Sequence, residues 1–109
     1  MVNLSQNRLD SIFGALSDST RRAILARLSQ SPATVSELAK PFSSSLPAIT
    51  KHLNVLESSG LITRKAQGRQ RVCEVNTETL SAAAAWIDRY SKFWTERLDA
   101  LEQLINSEQ

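Results

Sequence analysis

Between Lys51 and Arg71 the chain places Lys51, Arg64, Lys65, Arg69 and Arg71 against a single acid, Glu57. That window carries +4 in a protein whose formal total is +2, which leaves −2 for all the rest. Cations gathered this way suit phosphates: their attraction reaches about 8 Å at physiological salt, and released counterions supply affinity that falls as salt rises. Thr50, His52, Asn54 and Gln67 are interleaved with them, and Ser43, Ser44 and Ser45 lie just upstream. These side chains carry the donors and acceptors that can meet base edges or clamp a backbone.

Other chemistries lack their groups. The only cysteine, Cys73, can make no intramolecular disulfide, and it and the only histidine, His52, are too few for a zinc quartet. Cys73 is read as a half-buried small apolar residue. No nucleophile has a recognisable partner. Asp88, Glu96, Asp99 and Glu102 sit among Arg89, Lys92 and Arg97, which predicts surface ion pairs rather than an acid-base pair. The longest apolar run, Ala82 to Ile87, is far below the ~20 residues that span a bilayer. Together these features predict a binding protein: no enzyme, no cofactor, no metal, no membrane partner, and a reducing, cytoplasmic setting.

The elements that must position the basic window follow from periodicity and caps. Leu9, Ile12, Phe13 and Leu16, then Ile24, Leu25 and Leu28, recur at helical spacing on either side of Ser17-Asp18-Ser19, whose oxygens can cap a second helix running to about Gln30. Thr34-Val35-Ser36-Glu37 has the capping-box spacing for a short third helix that Pro41 limits. A fourth helix starts near Leu46, with Pro47 in its first turn and Gly60 at its C-terminal cap. Leu46, Ile49, Leu53 and Leu56 form its apolar stripe, Leu46 being read as core, while Pro47, Thr50, Lys51, Asn54 and Ser58 project from the other side. Residues 61–65 and 71–75 are two β-rich runs around a Gly68 turn, a hairpin. From Asn76 to about Ser107 there is no Pro or Gly, and Leu80, Ala84, Ile87, Tyr90, Trp94, Leu98, Leu101 and Ile105 keep a three/four rhythm that Trp86, Phe93 and Leu104 broaden.

Short helix, tight turn, polar-faced helix and basic hairpin follow one another as in a winged helix-turn-helix, where the second helix of the pair enters the DNA major groove. Here the chain resembles the ArsR family of bacterial winged-helix repressors. Leu16-Ser17-Asp18-Ser19-Thr20-Arg21-Arg22-Ala23-Ile24-Leu25 is similar to the family's second-helix signature, and Pro47-Ala48-Ile49-Thr50-Lys51-His52-Leu53-Asn54-Val55-Leu56 to its recognition helix. Gly60-Leu61-Ile62 with Gly68-Arg69 is similar to its wing. The resemblance covers residues 9 to about 104 and implies a homodimer that represses from a palindromic operator. Many members sense metals through cysteines of the third helix or His and Asp of the last, but Val35 to Phe42 contains no Cys and the last helix no His; the pattern Trp86, Tyr90, Phe93-Trp94 and Arg97-Leu98-Asp99 is similar to the branch without an evident inducer site, which includes autorepressors.

The expectation is therefore one mainly α-helical domain over residues 1–109, a winged helix-turn-helix with a two-stranded β-hairpin wing and a long dimerisation helix at 77–107. Its partners are double-stranded DNA and a second copy of itself, with any small-molecule inducer unspecified. Ser43, Ser44, Ser45, Pro47, Thr50, Lys51, His52, Asn54, Arg64, Lys65, Gln67, Arg69 and Arg71 are the candidate DNA contacts. Leu9, Ile12, Phe13, Trp86, Tyr90, Phe93, Trp94, Leu98, Leu101 and Ile105 are the candidate dimer interface. The rival reading is a protein-interaction module that uses the same scaffold and recruits a different protein through the aromatic last helix.

Overall fold

The computed structural model describes residues 5–107. They form α1 (Gln6–Leu16), α2 (Ser19–Leu28), β1 (Ala33–Thr34), α3 (Val35–Ala39), α4 (Leu46–Ser58), β2 (Ile62–Gln67), β3 (Gln70–Val75) and α5 (Thr77–Ser107). The helix starts are set by short oxygen-bearing side chains that accept otherwise orphaned amide hydrogens. Ser5 Oγ takes Arg8 N–H at 3.2 Å, Asp18 Oδ2 takes Arg21 N–H at 3.0 Å and Ser45 Oγ takes Ala48 N–H at 3.3 Å. Thr34 and Glu37 close the full capping box, each side chain accepting from the other's backbone at 3.2 Å.

The hairpin wing is two-stranded as expected, and the sheet it belongs to has one strand more. Ala33 and Thr34 add a third, antiparallel strand against Cys73 and Val72, giving the order β1-β3-β2. Two residues flanked by a serine-proline turn and a capping box carry no strand periodicity of their own; only the exposed edge of β3 makes them a strand. β2 and β3 pair from Ile62↔Val75 to Gln67↔Gln70 through the two-residue turn Gly68-Arg69. Gly68 at φ +65° occupies the first central position, as a type II′ hairpin needs.

One core lies between the first four helices and the sheet. Ile12, Ile24, Leu38, Ile49, Leu53, Leu56, Leu61, Ile62 and Cys73 are all essentially removed from solvent. Leu9 and Ile12, expected at an interface between copies, are instead buried inside the chain's own fold. Helical periodicity marks an apolar face without saying whether the same chain or another covers it. Leu46 is corrected in the opposite direction: it begins α4 at 51% exposure, while Phe42 of the preceding connection packs against the core.

α5 leaves this core. Thr79 and Ala83 are buried, Trp86 is half-buried with its ring 5.6 Å from that of Phe13, and every residue from Ile87 to Ser107 is exposed. The helix is about 46 Å long at 1.5 Å per residue. Its projection explains a radius of gyration of 18.5 Å and a longest dimension of 68 Å, where a compact chain of this length would have a radius near 13 Å.

A Schellman turn joins α4 to the wing: Gly60 N–H donates to Glu57 O at 3.0 Å and Leu61 N–H to Leu56 O at 3.0 Å. Gly60 has φ +83°, and a Cβ there would come within 2.9 Å of Arg8 Nη2 and 3.3 Å of Thr79 Oγ1. At Gly68 nothing lies within 4 Å of the same position. Gly60→Ala is therefore expected to cost more stability in urea denaturation than Gly68→Ala. The latter should lose only the left-handed backbone term of about 1 to 2 kcal/mol; equal losses would show that Arg8 and Thr79 yield without cost.

Candidate nucleic-acid interface

α3, the 40–45 connection and α4 make the helix-turn-helix, and α4 shows two faces. Ile49, Leu53 and Leu56 are buried, whereas Pro47, Lys51, Asn54 and Ser58 are exposed and Thr50 is half-buried along the opposite side. Ser43 and Ser44 lie exposed before the N-terminus of α4; Ser45 is also exposed but its hydroxyl is already used as the cap.

His52 is turned partly inward, its Nδ1 3.2 Å from Arg21 Nη1 and 3.8 Å from Asp18 Oδ2. Arginine has only donors, so a hydrogen bond between the two would have Nδ1 as its acceptor. Arg21 also donates from Nε to Ala15 O at 2.8 Å and from Nη2 to Gly14 O at 3.2 Å, and Arg22 donates to Leu16 O at 2.6 Å. The last carbonyls of α1, the start of α2 and the middle of α4 thus meet at one guanidinium. Asp18 is held below the ordinary aspartate range, chiefly by the Arg21 backbone N–H. Arg21 is absent from the residues singled out by spacing; the available signal is a pair of arginines just past a helix end, where cations meet free carbonyls.

The strand register sorts the wing residues. Side chains alternate across a sheet, so Arg64, Cys73 and Arg71 share the face that carries buried Ile62, while Lys65 and Gln67 share the other. Lys65, Gln67, Arg69 and Arg71 are all exposed, Arg69 at the turn itself. Arg71 lies on the α4 side with Lys51, whereas Lys65 and Gln67 face away from it. Cys73 is wholly buried rather than half-buried, and burial pushes its thiol up.

Arg64 departs from the expected set of outward cations. Its side chain is 11% exposed, and Nη2 donates to Asn54 Oδ1 at 2.6 Å and to Glu57 Oε1 at 2.7 Å. It follows Ile62 on the inward face of β2 and runs over the core towards α4, where the one acid of the basic window accepts it. The local +4 persists, because the Arg64–Glu57 pair is neutral, but Lys51, Lys65, Arg69 and Arg71 carry it. Among the described residues no three His, Cys, Asp or Glu side chains gather where a metal ion could be held, and no helix is long and apolar enough to cross a membrane.

The Arg64 hydrogen bond holds the Glu57 carboxyl below the ordinary glutamate range. With the folded value below the unfolded one, the carboxylate's contribution is whole above about pH 4.3 and is lost as pH falls through the folded value. Urea midpoints of the wild type should therefore decline more steeply between about pH 5 and pH 3 than those of Glu57→Gln, since the amide does not titrate. Parallel profiles would mean that the pair does not form in solution.

A helix-turn-helix domain family matches residues 16–65, the span from the end of α1 to the middle of β2. The HTH-type transcriptional regulator Rv2034 of Mycobacterium tuberculosis is 40% identical over 99 residues, covering 91% of this chain and 90% of that protein. The crystal structure of the ArsR family transcriptional regulator RHA00566 superposes with a TM-score of 0.75 at 50% identity, over 81% of this chain and 97% of that one. At 21% identity, the homodimeric winged helix-turn-helix DNA-binding domain Mb0332 of Mycobacterium bovis has the same fold, with a TM-score of 0.64 over 91% of this chain and 94% of that one. The polar face of α4, the basic wing beside it and these likenesses lead to one conclusion: the chain belongs to the ArsR family of winged helix-turn-helix transcriptional regulators.

Proposed function

We propose that the protein is a homodimeric, cytoplasmic repressor that occupies a palindromic operator, with residues 1–109 as one winged-helix unit and 77–107 as its dimerisation helix. Two α4 helices would enter successive major grooves about 34 Å apart and exclude polymerase or an activator. Thr50, Lys51 and Asn54 read base edges or adjacent phosphates, Ser43 and Ser44 approach the backbone, and Arg69 and Arg71 hold flanking DNA. Lys65 and Gln67, on the far face of the hairpin, meet DNA only where it wraps past the wing. No catalytic role is assigned to any residue.

The observation that carries the dimer is the distal half of α5. Ile87, Tyr90, Trp94, Leu98, Leu101 and Ile105 form one stripe, 43 to 62% exposed, with Phe93 and Leu104 beside it. An apolar surface of this extent is rare on a monomer and is ordinarily covered by a partner. Phe13 and Trp86 anchor its near end, Tyr90 stacking at 4.5 Å on Trp86. Asp88 and Lys92, 3.4 Å apart, keep part of the remaining surface charged. Homodimeric assembly in a neighbour of the same fold agrees with this reading.

In sedimentation the wild type is expected at twice the chain mass and Leu98→Glu at the chain mass with unchanged helicity; a monomeric wild type at micromolar concentration would remove the dimer. Arg69→Ala should lower affinity alike on selected and random duplexes and flatten log affinity against log salt by about 0.9 per site. An unaltered slope would take the wing tip off the phosphates, and DNA binding insensitive to salt would favour the interaction-module reading.

A further inference from the structure

Arg64 is the one wing cation turned into the fold, and its two hydrogen bonds place it between a helix residue that faces solvent and one that balances its charge. Asn54 and Glu57 lie three residues apart on α4, on neighbouring positions of one side, and the Nη2 group of Arg64 spends both hydrogens on them. Arg64 Nε is buried with no partner. For stability alone an apolar pair would serve as well here, without an unpaired donor. The arrangement does something else: it fixes an amide. Arginine offers no acceptor, so the atom of Asn54 that faces it is the oxygen, and the Nδ2 hydrogens are left for the exposed side. Among the described residues that nitrogen has no hydrogen-bond partner.

We propose that Arg64 is a positioning residue for base readout, which by holding the Asn54 carbonyl turns the Asn54 amide nitrogen towards the groove and selects a base that presents an acceptor there, guanine above all. This rests on the reading of α4 as the recognition helix. A freely rotating asparagine pairs in two-point fashion with adenine, giving its oxygen to N6 and its nitrogen to N7. Arg64 takes one of the two lone pairs of the Asn54 oxygen and fixes the amide plane, while both Nδ2 hydrogens stay unpaired, so the group offered to the base is chiefly the donor. Guanine offers N7 and O6, thymine O4 and adenine N7 alone, while cytosine offers only its N4 donor. The wing thereby acts on specificity through α4 without reaching the base.

The test is motif enrichment from a random-sequence duplex library with three proteins: wild type, Asn54→Ala, and Arg64→Met/Glu57→Gln, which removes the guanidinium together with the charge it balances. The position whose preference collapses in Asn54→Ala marks the base under that residue. The wild type is expected to enrich guanine there and exclude cytosine. The double variant, with folding verified by circular dichroism, should admit adenine and cytosine at that position alone and keep the wild-type salt slope, because Arg64 neutralises no phosphate. A slope reduced by about one phosphate contact, or affinity lost equally at every position, would overturn the proposal. Should the double variant not fold, 7-deazaguanine at the marked position decides: the wild type should bind that duplex about fivefold to tenfold more weakly and Asn54→Ala no more weakly. Equal binding by the wild type overturns the proposal. A wild type that enriches no motif overturns the recognition-helix reading itself, whereas a clear motif with adenine or cytosine at the marked position overturns only the role of Arg64.

Discussion

The architecture depends on one demand placed on α4, which must be fully buried along one side and fully clear along the other. Ile49, Leu53 and Leu56 meet the first half, each at zero exposure, and burial of such a side chain contributes about 1.5 to 3 kcal/mol. The second half requires that the restraints on the helix come from its ends or its inner face, the contact of Arg64 with Asn54 being the exception. Ser45 and the capped α3 hold the N-terminal end, Gly60 turns the chain sharply at the other, and Arg21 reaches the middle through His52 without crossing to the polar face. The wing then returns alongside instead of over the helix, because the Schellman turn starts β2 with Leu61 and Ile62 already in the core.

Most helix limits were legible in the sequence because they are local chemistry. A threonine three residues before a glutamate, a serine before Leu-Pro and a glycine after Ser-Ser each satisfy or redirect backbone groups within one turn, and the structure puts the element ends within a residue or two of them. What was not legible depends on partners distant in the chain. Leu46 continues the apolar stripe of α4 and is nonetheless exposed, since a stripe says which side faces inward and not how far the core extends along it. Leu9 and Ile12 share a period with α5, and only packing shows that the first pair is covered within the chain while the distal half of the second is not. Arg64 counted as one charge among five; its burial follows from strand register, which places it opposite Cys73 on the inward face.

Charge counting therefore located the basic surface and placed one cation too many on it, Arg64. Arg21, Arg22 and Arg27 donate to backbone carbonyls at helix ends, and Arg64 donates to α4, so four guanidinium groups serve the fold. The cations left on the α4 side are fewer: Lys51 on the helix, Arg71 on β3 and Arg69 in the turn at the tip. On the proposed reading of this face, their placement would restrict where phosphates sit and so set the register in which the side chains of α4 meet the bases.

The 31-residue span of α5 contains neither proline nor glycine, and its inner end is locked by Thr79, Ala83 and the contact of Trp86 with Phe13. Heredity acts on such an element unevenly. Substitutions beyond Ile87 change only what the exposed stripe offers, but a single inserted or deleted codon between Trp86 and Tyr90 would rotate everything beyond it by 100° and shift it 1.5 Å. Seven residues together nearly restore the original bearing, within about 20°. Lineages descending from this chain should accordingly drift in the polar positions of the arm while conserving its apolar stripe and its length, or change that length in whole heptads.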